Sequence, residues 1–170
     1  GRKIDFAPCT NIRKADVTVT INGTEATSSA NIETDRSGVT STQQTSPAVS
    51  VADRSGYRLV KLPTVGFAES WGISRLGTER RQYFEMPYVC DDEVTFTITT
   101  DGRILTPSRE LKLSNPVGEV TLRIEVDGSK ATVTRNVKIN KAIIAPAEWK
   151  SARALLTALA DRAYSELIVK

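Results

Sequence analysis

Histidine is absent from all 170 residues, and that absence excludes more than any residue present. Serine and cysteine nucleophiles most often take their base from a neighbouring imidazole, and catalytic zinc and non-haem iron sites use the same ring. A self-contained hydrolase or transferase of those kinds is not expected. Cysteine is scarce as well. Cys9 and Cys90 are the only two and lie far apart in sequence, too few for a zinc set without histidine. Two buried free thiols, a disulfide and a reactive thiol all remain open for them, because a disulfide depends on a Cβ separation that sequence does not give. Aromatic residues make up 6%, so Val, Ile, Leu and Ala must build the core. No apolar run approaches the roughly 18–20 residues that span a bilayer. The net charge is only +3, and the adjacent basic pairs Arg2-Lys3, Arg13-Lys14 and Arg80-Arg81 are scattered. Phosphate-backbone binding calls for a clustered basic face, so nucleic acid is not an expected partner. The chain opens on Gly1 with no initiator Met, and we expect a segment of a longer protein whose leader, if any, lies elsewhere.

What is present is strand periodicity. Val17, Val19 and Ile21 alternate with threonines, and Val94, Phe96 and Ile98 do the same. Val120, Leu122, Ile124 and Val126 share one face of a third segment. Ala131, Val133, Val137 and Ile139 share a face of a fourth, interrupted only by Arg135. Alternation of this kind marks strands with one buried and one wet face, as in antiparallel sheets. Asn22-Gly23 and Asp127-Gly128 are tight-hairpin pairs, and Asp101-Gly102 is expected to play the same part. Asp-Arg-Ser-Gly occurs at 35–38 and again at 53–56, which fits type I turn chemistry better than a repeated binding motif.

Residues 24–50, rich in Thr, Ser, Ala and Gln, read as edge strands with a loop near 40–47. Residues 63–90 carry Phe67, Trp71, Tyr83, Phe84 and Tyr88 among glycines and prolines, and read as an excursion over a sheet edge or core end, with one short helical turn. Pro146 suits a helix first turn, and Trp149, Ala152, Leu156, Leu159 and Ala163 then form one apolar stripe. Ser165–Val169 returns as a final short strand. The expected fold is mainly β: a two-sheet antiparallel β-sandwich of seven to nine strands with one C-terminal α-helix, about 147–162, packed on it. The length suits a single domain over 1–170, or two small β subdomains divided near 50–56.

Chemistry without histidine would rest on carboxylates. Asp91, Asp92 and Glu93 are the densest acidic group, but they lack the spaced oxygen ligands and glycine of a calcium loop, and a solvated turn before strand 94–100 explains them. Trp71, Arg80, Arg81, Tyr83 and Tyr88 form the candidate contact set for a glycan or peptide, the ring faces stacking and the arginines reaching acidic groups. Closure of one end of the core accounts for the same aromatics.

From Tyr57 to Lys170 the chain resembles a known domain. The strand Tyr57-Arg58-Leu59-Val60-Lys61-Leu62-Pro63 precedes the basic, aromatic segment Arg80-Arg81-Gln82-Tyr83-Phe84. Glu93–Ile98 leads through Leu113-Ser114-Asn115-Pro116-Val117-Gly118 to the hairpin 119–139, and Ile144-Ala145-Pro146-Ala147-Glu148-Trp149 enters the helix. This order resembles the C-terminal β-rich domain that follows the transglutaminase-like, papain-type core of large exported bacterial proteins, especially those of Bacteroidetes. Residues 1–55 then serve as leading strands and 56–170 as the family-like part. The resemblance implies a non-catalytic accessory domain at the periplasm or cell surface, packing against the upstream core of the same polypeptide or presenting substrate to it. It places the family's Cys-His-Asp machinery in that core, so neither Cys9 nor Cys90 is expected to be a nucleophile, and it implies no cofactor or metal. An independent glycan- or peptide-binding module is the alternative.

Overall fold

The computed structural model describes residues 11–71 and 82–170. Cys9, Arg80 and Arg81 lie outside the described residues. The chain runs through β1 (Asn11–Asn22), β2 (Glu25–Arg36), β3 (Val39–Thr45), β4 (Ser50–Arg54) and β5 (Tyr57–Lys61), then a 3-10 turn at Ala68–Trp71. It continues through β6 (Phe84–Glu85), β7 (Cys90–Thr100), β8 (Arg109–Asn115), β9 (Gly118–Asp127), β10 (Lys130–Ile139) and β11 (Ile143–Ile144). Helix α1 (Trp149–Leu159) and β12 (Glu166–Val169) complete it. Twelve strands among the described residues exceed the expected seven to nine, because β6 and β11 are two-residue pairings and β3 occupies most of the stretch near 40–47 expected to be a loop.

Seven strands form one sheet in the order β3-β2-β1-β7-β10-β9-β8, and β12-β5-β4 form a second. Within the large sheet every pairing is antiparallel except β1 with β7, which run parallel over eleven positions from Asn11↔Cys90 to Ile21↔Thr100. The parallel pair follows from connectivity. The chain leaves β1 through five further strands, β2 to β6, before β7 comes back beside it, and such a crossover permits the parallel direction.

The inner face of the large sheet carries the alternation read from sequence: Ala15, Val17, Val19 and Ile21 on β1 face the same way as Val94, Phe96 and Ile98 on β7. Two layers cover it. The small sheet supplies Val60, Leu167 and Val169 to a cluster with Phe96, Ile98 and Val133. Trp149, Ala152, Leu155 and Leu156 of α1 supply a second cluster over Val120, Leu122, Val137 and Ile139. Val120 and Leu122 lie four and two residues before Ile124 on β9, so both covers sit on one face. The result is a β-sandwich in which the helix completes the second layer. α1 is shorter than 147–162 because 3-10 turns flank it at Pro146–Glu148 and Arg162–Tyr164.

The turn chemistry holds in part. Ser37 and Gly38 both take positive φ, 55° and 81°, so the first Asp-Arg-Ser-Gly closes a mirror-image hairpin rather than a type I turn, and Asp35 accepts from the Gly38 N–H at 3.0 Å. Asp101-Gly102 is not a hairpin. Asp101 instead accepts from Arg58 at 2.6 Å and from the Gly23 N–H at 2.8 Å, fastening β5 to the β1–β2 turn. Gly102 is required by close approach, since a Cβ there would overlap the Lys170 carbonyl oxygen. Gly102→Ala should therefore cost about 1–3 kcal/mol through forced displacement of the C-terminal strand, read as a lowered melting temperature.

Candidate functional site

Three charged residues occupy inward positions of otherwise apolar strand faces. Arg13 precedes Ala15 and Val17 in phase on β1, Asp92 precedes Val94 and Phe96 on β7, and Arg135 lies between Val133 and Val137 on β10. The register brings them together: Arg13 pairs with Asp92, and Arg135 pairs with Val94 one step further along the same face. The crossing segment after β5 passes over this point and adds Glu69. A polar seam thus lies where the cover changes from the small sheet to the helix.

Arg135 and Glu69 form an ion pair at 3.2 Å with each side chain 5% exposed. Arg135 also donates to the Pro63 carbonyl at 3.3 Å and sits over the Phe96 ring at 5.0 Å. Arg13 donates to the Val65 carbonyl at 3.0 Å and to Thr34 Oγ1 at 3.3 Å, with its guanidinium 4.0 Å from the Phe67 ring centroid. Asp92 accepts the Ala68 N–H at 2.9 Å. Gly66 leaves room for that carboxylate, since a Cβ would come within 2.9 Å of Asp92 Oδ2. Two arginines and two carboxylates balance in charge, which is what allows Asp92, Glu69 and Arg135 to be buried beside the half-buried Arg13.

Compensation is incomplete. Asp92 Oδ1, Glu69 Oε1 and Trp71 Nε1 are buried atoms with no hydrogen-bond partner. Burial pushes the Asp92 carboxyl up to about 6, and the Glu69 charge adds to this; the Ala68 and Phe67 N–H groups and Arg13 pull it back. Because the folded-state value lies above the ordinary carboxylate value of 3.8, the folded protein binds the extra proton between those limits. Its contribution to stability is fully present below about pH 4 and is lost as pH rises through about 6, by up to ~1.4 kcal/mol per pH unit. Asp92→Asn should flatten this part of the stability–pH curve measured by urea denaturation between pH 4 and 7. A curve unchanged by the substitution would show that Asp92 does not titrate in that window. Asp92 is 1% exposed and the Glu69 side chain 5%, so neither carboxylate is open to a substrate in this state.

The acidic triplet is not a turn. It lies inside β7, where Asp92 points inward while Asp91 and Glu93 point to the outer face, so strand alternation separates the three carboxylates. Among the described residues no group of His, Cys, Asp and Glu side chains is placed to hold a metal ion. Cys90 is a buried free thiol whose ionisation is pushed up to about 12 by burial and by the Asp92 charge, which leaves it unreactive.

The aromatic candidates divide. Trp71 and Tyr88 meet edge to face at 5.4 Å, and Tyr88 meets Phe67 at 5.5 Å in the same manner. Arg36 lies 5.0 Å over the Tyr88 ring, on the side of the fold where Arg13 covers Phe67. Tyr83 stands apart and is 68% exposed. Sequence reading singled out Trp71 and Tyr88 but not Arg13, Arg36 or Glu69. The signal for Arg13 was available: a cation in phase with a buried stripe, as Arg135 also is.

A helix-completed β-sandwich with a buried charge seam defines a β-rich domain. The chain belongs to the DUF3858 family, a domain of unknown function with a solved structure, which matches residues 57–169. It is also similar in fold to the crystal structure of a "putative protease" from Parabacteroides distasonis ATCC 8503, with 21% sequence identity and a TM-score of 0.61. That match covers 93% of this chain and 40% of the other, so the chain spans about two fifths of that protein's length. No curated protein matches.

Proposed function

We propose that this chain is a non-catalytic accessory domain of a longer exported bacterial protein, working at the periplasm or cell surface. In this reading it packs against an upstream transglutaminase-like core, or presents substrate to it. The observation that carries the reading is the partial coverage just described: nearly all of this chain corresponds to a minority of a longer polypeptide whose name refers to proteolysis. The burial of Asp92 and of the Arg135–Glu69 ion pair is consistent with it, since a charge seam sealed between two apolar clusters serves to position segments. An independent glycan- or peptide-binding module would draw on Trp71, Tyr83 and Tyr88. Trp71 and Tyr88 are perpendicular and half-buried, an arrangement that offers no shared flat face for a ligand.

The direct test assays the domain alone on peptide and glycan substrates. No turnover is expected. Turnover that is lost on Asp92→Asn or Glu69→Gln, in variants that still melt cooperatively, would overturn the non-catalytic reading.

A further inference from the structure

The seven-stranded sheet ends in two edges of different construction. On β8 three of seven residues are charged, Arg109, Glu110 and Lys112, and Glu110 is ion-paired to Arg123 at 2.9 Å and to Lys112 at 3.1 Å. Charges on an edge discourage a further strand from pairing. β3 has none of these devices. Its sequence, Val39-Thr40-Ser41-Thr42-Gln43-Gln44-Thr45, contains no charge, no proline and no glycine, and four of its residues are β-branched. Residues 39–44 are exposed, Val39 by 71%, and among the described residues β3 pairs only with β2. Its far-side N–H and C=O groups are a ready template for strand addition.

The small sheet is better guarded. Residues 103–105 lie along β12, with the Leu105 N–H donating to the Ile168 carbonyl and the Lys170 N–H to the Arg103 carbonyl. β4 is short and ends in Asp53 and Arg54.

We propose that β3 is a dimerisation edge, to which a second copy of this chain adds its own β3 in antiparallel fashion across a twofold axis. The occupant follows from self-complementarity. Centred on Thr42, antiparallel pairing overlaps all seven residues: Thr42 meets Thr42 of the second copy, Ser41 meets Gln43, Thr40 meets Gln44, and Val39 meets Thr45. Every cross-strand pair is neutral, and three of the four kinds can hydrogen-bond through side chains. Such an edge holds no charge pattern that would select a foreign strand, and an isologous twofold contact is the commonest oligomeric arrangement. Glu33 and Asp35 on β2 do not oppose it. They lie three strand spacings, about 14 Å, from their counterparts, beyond the Debye length of about 8 Å. A single strand pair buries less than a standard interface, so the dimer is concentration-dependent, with a dissociation constant on the order of micromolar or weaker. The proposal is independent of the accessory-domain reading.

Sedimentation velocity from low to high micromolar concentration tests it, using the wild-type chain, Thr42→Lys, Thr42→Glu and an equal mixture of the two variants. The wild-type chain should show a monomer–dimer equilibrium. Each variant alone should associate about fivefold more weakly or worse, because like charges then face each other at the axis. The mixture should regain wild-type association. Position 42 is exposed, so unchanged melting temperatures will show that the variants fold. A chain that stays monomeric throughout, or a dimer indifferent to both substitutions, or a mixture that fails to recover, would overturn the proposal.

Discussion

Deleting residues 1–55 should abolish cooperative folding, even though the family match begins only at residue 57. β1 lies in the middle of the large sheet, between β2 and β7, and its Ala15, Val17, Val19 and Ile21 are each no more than 1% exposed. Without them β7 becomes an edge, and Val94, Phe96 and Ile98 lose the neighbours on one side. The deletion also removes β4 from the small sheet. Three buried β-branched residues at ~1.5–3 kcal/mol each already approach the whole stability of an ordinary domain, about 5–15 kcal/mol. Far-UV circular dichroism and a thermal melt of residues 56–170 should show no cooperative transition. A sharp melt with native-like strand content would instead favour two separable β subdomains dividing near 50–56.

Arg135→Ala should be the most damaging single substitution of a charged residue in the protein, costing about 3–5 kcal/mol. The change leaves Glu69 buried with its charge uncompensated and strips a donor from the Pro63 carbonyl. Glu69→Gln alone should cost less than Arg135→Ala, since it keeps an acceptor for the Val65 N–H. The pair Arg135→Met with Glu69→Leu should recover much of the loss, because apolar residues of similar volume remove both desolvation costs. Urea denaturation of the singles and the double gives the coupling directly. Additive effects would mean that the two side chains do not depend on each other.

Much of the sandwich was legible because its strands have one wet face. The alternation at 17–21, 94–98, 120–126 and 131–139 marked β1, β7, β9 and β10, and the stripe through Trp149, Ala152 and Leu156 marked α1. Pairing direction was not legible. Alternation records which face a side chain occupies and is silent on whether a neighbour runs parallel, so the β1–β7 pair had to come from the three-dimensional path. The seam was half visible. Arg135 broke an apolar series and Arg13 stood in phase with another, yet Asp92 was obscured by Asp91 and Glu93 on either side, which made it look like part of a solvated turn. Glu69 carries no periodic signal, because the 3-10 turn that presents it is only four residues long. Asp101-Gly102 shows the same limit: the dipeptide has hairpin chemistry, but here the glycine answers a close approach by the chain's last residue.

The accessory role is tested most directly on the longer parent polypeptide, with and without this domain, by measuring unfolding temperature and turnover of the upstream core side by side. Removal of the domain is predicted to lower the core's unfolding temperature, its turnover, or both, while the excised domain stays inactive. A core that melts and turns over identically without the domain would contradict the account.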